Sequence, residues 1–334
     1  MALRKMSSAA FDVLRRGVKG VWPTMITPFK ADSSKSIDYD MVEKLTEWYI
    51  KSGSAGLFSV CLSSEFYQLT NEERLQLAER VHNKAAGRVP VVASGTFGGP
   101  IEDQAAFVRE MAKRVDAVVI VVNRLAEKEE SNDTWLENAK KLLDLTDDVP
   151  MGFYESPEPY SRVLTPDMLS WAVSTGRFYF HKDGSTDRQL VTDKINAATQ
   201  AASKLDHNFG FYTAKAHYIK HVLDHGGYGF SGISANFYPW VHAWLCNNYE
   251  NKHADKVQHF LGVADNVIRQ KYPRSAKMYL SEYYGLPITS ECRIHDMNPI
   301  EEEVIKMKFA FEMMDEMCRS MNIKMVNPRT LEEA

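Results

Sequence analysis

Eight short apolar segments alternate along this chain with amphipathic ones, and that alternation narrows the possible folds more than any other feature. The sequence predicts strands near Gly20–Ile26, Gly56–Cys61, Val89–Ser94, Ala117–Val122, Met151–Tyr154, Phe178–Lys182, Phe209–Tyr212 and Gly229–Ile233. They are runs of Val, Ile, Phe and Tyr rather than apolar–polar alternations, as expected of parallel strands covered on both faces. Helix starts separate them. Asp38 opens one helix, Thr70-Asn71-Glu72-Glu73 forms a capping box, Asp133 precedes another, and Thr165-Pro166-Asp167 places Pro in a first turn. Eight such units between Gly20 and Ile233 suit a (β/α)8 TIM barrel. An open doubly wound sheet would carry a Gly-rich turn after its first strand, and Thr27-Pro28-Phe29 has none.

Four helical patterns follow, near Trp240–Asn248, Ala254–Arg269, Ala276–Tyr284 and Pro299–Met321. The α/β reading is therefore a barrel with a C-terminal helical extension: a leader or short helix over 1–17, the barrel over 18–235, the extension packed on it over 236–325, and a tail over 326–334. The first residues are faintly transit-peptide-like, with Arg4, Lys5, Arg15 and Arg16. They lack a sustained Arg-rich face, so a short helix over Ala9–Arg16 is preferred.

Of 334 residues, 44% are hydrophobic and 25% charged, enough apolar content for a sizeable core. A net charge of −4 without a basic block argues against nucleic acid, and no apolar stretch is long enough to span a membrane. Cys61, Cys246, Cys292 and Cys318 form no CxxC pair and read as reduced thiols of a cytoplasmic protein.

Lys182 closes the apolar run Phe178-Tyr179-Phe180-His181 and precedes Asp183-Gly184-Ser185. An amine at such a point either snorkels to water or, desolvated, becomes a nucleophile toward a ketone. Tyr154 ends the preceding strand, where a phenol can relay the protons that imine formation needs. Strand alternation turns His181 and Asp183 away from Lys182. His217, His221 and His225 stand at i, i+4 and i+8 and read as a polar outer helix face rather than a metal site.

Taken together, these residues resemble the dihydrodipicolinate synthase / N-acetylneuraminate lyase family of class I, Schiff-base aldolases and dehydratases. The match is carried by Gly20 to Phe29 ending in Thr-Pro-Phe, by Cys61-Leu62-Ser63-Ser64-Glu65, by Tyr154-x-x-Pro157, by Lys182-Asp183, and by Gly226-Gly227-Tyr228-Gly229 through Asn236. The resemblance implies a barrel lyase, commonly a homotetramer, with a homodimer also compatible. Its lysine would form an imine with pyruvate or another 2-oxo acid, without metal or organic cofactor. Lys182 and Tyr154 are then the catalytic pair, and Ser63, Ser64 and Ser231 would help bind substrate. Lys215, Glu155 and Arg124 are the candidates for reading a polar or anionic tail.

The sequence also departs from the family. Leu62 stands where many members have a relay hydroxyl, and Ser64 replaces a glycine. Asn123-Arg124-Leu125 replaces tandem tyrosines, and Glu158-Pro159 occupies the stretch of an aldehyde-binding arginine. Dihydrodipicolinate synthesis itself is not expected. The expected activity is an aldolase-type lyase acting on pyruvate or a 2-oxo-3-deoxy sugar acid. A dehydratase on the same imine, or a catalytically weakened ligand-binding barrel, are the alternatives.

Overall fold

A computed structural model describes residues 9–330. Its strands are β1 Gly20–Val21, β2 Leu57–Val60, β3 Val91–Ser94, β4 Ala117–Val121, β5 Met151–Tyr154, β6 Phe178–Asp183, β7 Gly210–Thr213 and β8 Gly229–Phe230. The helices are α1 Ala9–Arg16, α2 Tyr39–Lys51, α3 Asn71–Ala85, α4 Ile101–Met111, α5 Asn132–Asp144 and α6 Pro166–Ser174, then α7 Arg188–Ala202, α8 Ile219–Asp224, α9 Pro239–Asn247, α10 Ala254–Ile268, α11 Arg274–Tyr284 and α12 Glu301–Ser320.

All eight strands are parallel, in the order β1-β8-β7-β6-β5-β4-β3-β2. The remaining gap closes through a parallel bridge between Thr24 and Phe58. Backbone bonds from Ala55 N to Val21 O (2.9 Å) and from Met25 N to Phe58 O (3.0 Å) complete the circle. The result is the expected (β/α)8 barrel. Strand β1 is shorter than the sequence suggests because Pro23 has no N–H to give the ladder. Where β1 and β8 meet, a Cβ on Gly229 would fall 2.2 Å from Gly20 O, so only glycine lets the barrel close there.

Helix signals are met locally. Thr70 accepts from Glu73 N at 3.2 Å while Glu73 returns to Thr70 N at 2.9 Å. Thr165 caps α6, which carries Pro166 in its first turn. The helix before the barrel falls on Ala9–Arg16, where Phe11 meets Tyr179 of β6 edge-on. Of the basic residues behind the transit-peptide-like reading, Arg4 and Lys5 lie outside the described residues, and Arg15 and Arg16 fall on α1. Helix α9 packs on β1 and β8 and completes the outer ring, leaving α10, α11 and α12 beyond it. The histidine row does not share one helix: His217 lies in a 3-10 turn, and α8 begins only at Ile219. Among the described residues no helix is long and apolar enough to cross a membrane.

Candidate active site

The barrel interior is floored by aromatic rings. Trp22 lies 4.9 Å from Phe180 and 5.5 Å from Tyr212, and Phe58 lies 5.8 Å from Phe180 (ring centroids). Lys182 is two residues beyond Phe180 on β6 and so rises from this floor toward the C-terminal mouth, where barrel enzymes keep their chemistry. It is 4% exposed, and its Nζ stands 4.1 Å from the Tyr154 ring and 5.8 Å from the Phe58 ring. Lys182 and Tyr154 are register partners on β6 and β5. Among the described residues no carboxylate pairs with the amine. Burial lowers its pKa to about 8, the charge of Lys215 pushes the same way, and the Cys61 thiol opposes them. Burial also raises the Tyr154 phenol far above its ordinary range, with the Ser156 hydroxyl pulling it partly back. Tyr154 therefore stays a neutral phenol at every working pH.

The loop after β2 forms one wall. Ser63 is buried and donates to Thr24 Oγ1 at 3.0 Å, which leaves its lone pairs open. Ser64 corrects the sequence expectation. Its hydroxyl donates to Cys61 O (2.7 Å) and accepts from Cys61 N (2.9 Å), and its own N–H bonds Cys61 O. These polar atoms hold the turn, so Ser64 shapes the wall rather than contacting ligand. Ser231 follows Phe230, whose ring stacks outward on His242 of α9; alternation points Ser231 inward. Its hydroxyl is buried without a protein partner, the state of a group that a ligand would satisfy.

Glu155 is a second correction. It follows Tyr154 and therefore faces outward, where its carboxylate takes Lys194 Nζ (2.6 Å), Leu164 N (2.8 Å) and Gly184 N (2.8 Å). A carboxylate so committed cannot read a substrate tail. Lys194 also donates to Asp183 (2.8 Å) and Ser185 (2.9 Å). His181 sits beside this cluster, 3.5 Å from Glu155 and packed on Phe211, behind the barrel wall as alternation requires. Glu155, His181 and Asp183 have ligand atoms close enough for a metal ion, but the Lys194 ammonium fills that position.

Lys215 stands just past β7, half-buried, with no carboxylate partner among the described residues. Arg124 is engaged at the rim, its Nε donating to Tyr67 OH at 2.9 Å and its guanidinium stacked on that ring. Asn123 ties down the loop after β5 through Ser156 O and Glu158 O, both at 3.0 Å.

Three structural residues escaped the sequence reading. Lys194 interrupts the buried stripe Val191, Ile195 and Ala198 of α7, a signal that was there to be read. Lys277 does the same on α11. Glu65, at φ 60°, gave no such sign: its carboxylate binds Lys277 Nζ (3.0 Å), Arg293 N (2.6 Å) and Ile294 N (2.9 Å).

A closed parallel barrel with a desolvated, unpaired lysine at the mouth and a neutral phenol beside it defines a class I aldolase-type lyase. The chain belongs to the dihydrodipicolinate synthetase family, whose sequence profile matches residues 17–310. It is 27% identical over 282 residues to the 4-hydroxy-tetrahydrodipicolinate synthase of Roseobacter denitrificans, covering 81% of this chain and 92% of that one. The corresponding enzyme of Methanospirillum hungatei is 25% identical over 221 residues, 66% and 72% of the two chains. A prophage protein of the dihydrodipicolinic acid synthase family from E. coli K12, solved in complex with pyruvate, shares the fold. It superposes with a TM-score of 0.78 at 19% identity, covering 89% of this chain and 98% of its own.

Proposed function

We propose that Lys182 forms an imine with a 2-oxo acid and that the enzyme cleaves 2-oxo-3-deoxy sugar acids to pyruvate and an aldehyde. The observation that carries this reading is the unpaired amine, 4% exposed with its pKa at about 8, against the Tyr154 phenol. The neutral amine adds to the C2 ketone, and the Tyr154 proton helps the carbinolamine oxygen leave as water. The Tyr154 phenolate left by that step takes the C4 hydroxyl proton, the C3–C4 bond breaks and its electron pair enters the iminium, giving the aldehyde and an enamine. Protonation at C3 and hydrolysis then release pyruvate and the free lysine. The Ser231 hydroxyl, buried without a protein partner, supports a hold on the C1 carboxylate at the mouth, with the turn at Ser63 beside it.

Choice of a sugar acid rests on this chain's own residues. Leu62 offers no hydroxyl, Asn123 is spent on the loop after β5, and Pro159 offers no cation for the second carboxylate of aspartate semialdehyde. Lys215 is a free cation whose charge Lys182 feels, so it suits a hydroxylated or anionic tail. A panel of 2-oxo-3-deoxy acids should therefore release pyruvate, while condensation with aspartate semialdehyde runs about 10²–10⁴ slower than in an enzyme with an intact relay. Lys215→Ala should raise KM for the accepted sugar acid about tenfold, with trapping of the pyruvate imine unchanged. Condensation at ~10 s⁻¹ would refute the assignment, as would indifference of every substrate to Lys215→Ala.

Self-association is part of the same proposal. Val263, Phe309 and Met313 are large apolar side chains exposed on α10 and α12, more than a solitary barrel surface requires. Sedimentation at micromolar protein should give a dimer or tetramer, and a persistent monomer contradicts this.

A further inference from the structure

The C-terminal extension carries one side chain into the barrel mouth. Tyr272 lies between α10 and α11, its ring 6.4 Å from that of Phe237. Its hydroxyl oxygen accepts from Asn236 Nδ2 at 2.8 Å. The same amide nitrogen also lies 2.8 Å from Thr24 O and 3.0 Å from Ile233 O, three acceptors sharing its two hydrogens, and its oxygen receives the Tyr49 hydroxyl at 2.5 Å. These partners fix which end of the amide faces Tyr272. Because the Tyr272 oxygen is the acceptor in that bond, its own hydrogen is left to point elsewhere.

What it faces is the candidate carboxylate wall. Ser63, Cys61, Tyr49 and Tyr154 lie around it. Burial holds the phenol well above its ordinary range, so it remains a neutral donor at any working pH. Tyr67 offers the contrast. Its hydroxyl takes Arg124 Nε and gives its hydrogen to Glu158 O, so nothing is left for a ligand. The two walls are also fastened together. Glu65, two residues after Ser63, makes a fully buried ion pair with Lys277, five residues after Tyr272.

We propose that Tyr272 is a substrate-binding residue: beside the turn at Ser63, its hydroxyl donates a hydrogen bond to the C1 carboxylate of the 2-oxo acid. The proposal rests on the imine chemistry set out above. A carboxylate accepts only, and this side of the mouth presents neutral hydroxyls rather than a cation. It also gives the connection between α10 and α11 a role that the barrel alone does not explain.

The test is the concentration dependence of borohydride trapping on Lys182. In Tyr272→Phe the half-saturating pyruvate concentration should rise about tenfold, with full labelling still reached at saturation. Methyl pyruvate, which lacks the carboxylate charge, should show nearly the same half-saturation in wild type and variant. Should the phenylalanine variant melt below the assay temperature, Tyr272→Leu poses the same question. Equal half-saturation for pyruvate in wild type and variant overturns the assignment, and so does an equal rise for both ligands, which marks a displaced wall. Absence of label on Lys182 in the wild type removes the imine reading and this one together. Normal wild-type labelling with an unresponsive Tyr272 removes this one alone.

Discussion

Treating the wild type with pyruvate and borohydride should add one reduced pyruvyl group to the peptide containing Lys182, and Lys182→Met should take up none. The rate of labelling should climb as pH rises toward 8 and then level, because only the neutral amine attacks. With the pKa at about 8 instead of 10.5, the neutral fraction at pH 7 is about 300-fold larger than for a free lysine. The same shift carries a stability cost with a definite sign. The folded pKa lies below the unfolded one, so unfolding takes up a proton between pH 8 and 10.5 and stability rises with pH across that window. Below pH 8 the penalty is fully present, about 3 kcal/mol. Lys182→Met should therefore abolish labelling and yet melt higher than the wild type at pH 7, the two Tm values converging near pH 10. A variant less stable than wild type at pH 7 would show that the amine is not held desolvated. Label on any other lysine at saturating pyruvate would move the nucleophile elsewhere.

How much of this was legible in the sequence follows from what kind of interaction places each group. Strand positions were readable because burial on both faces demands uninterrupted Val, Ile and Phe. Lys182 and Tyr154 were readable because each ends such a run, and alternation alone then sends His181 outward. The same rule, applied one residue further, would have turned Glu155 away from the lumen; its charge drew it into the tail-reading group instead. Ser64 failed for another reason. A hydroxyl in a tight turn satisfies its neighbour's backbone first, and that competition is invisible until the turn geometry is known. Glu65, Lys277 and Tyr272 depend on a contact between the loop after β2 and the chain more than two hundred residues later. No local pattern encodes such a contact.

Lys194 is where removing a single atom group should cost the fold most. Its ammonium is fully buried and is shared by Glu155 (2.6 Å), Asp183 (2.8 Å) and Ser185 (2.9 Å). Taking it away leaves two buried carboxylates facing each other, so Lys194→Met should destabilise the barrel by about 3–5 kcal/mol. Burial on its own would raise the pKa of Asp183; the neighbouring His181 and Lys194 overcome it and hold the carboxyl below its ordinary value. Such a group stabilises the fold above the unfolded carboxylate range near 3.9 and loses that contribution as pH falls toward its depressed folded value. Without Lys194 only His181 still opposes burial, Asp183 protonates at higher pH than in the wild type, and the acid-unfolding midpoint should move upward. Adding Glu155→Gln to Lys194→Met removes one of the two stranded charges and should recover part of the lost stability. That partial recovery separates an electrostatic keystone from a lysine that merely fills space: if Glu155→Gln deepens the defect, packing rather than charge holds β5, β6 and α7 together. The cluster fixes Asp183, Gly184 and Ser185 against the end of β5, and so holds Lys182 and Tyr154 in register from outside the barrel.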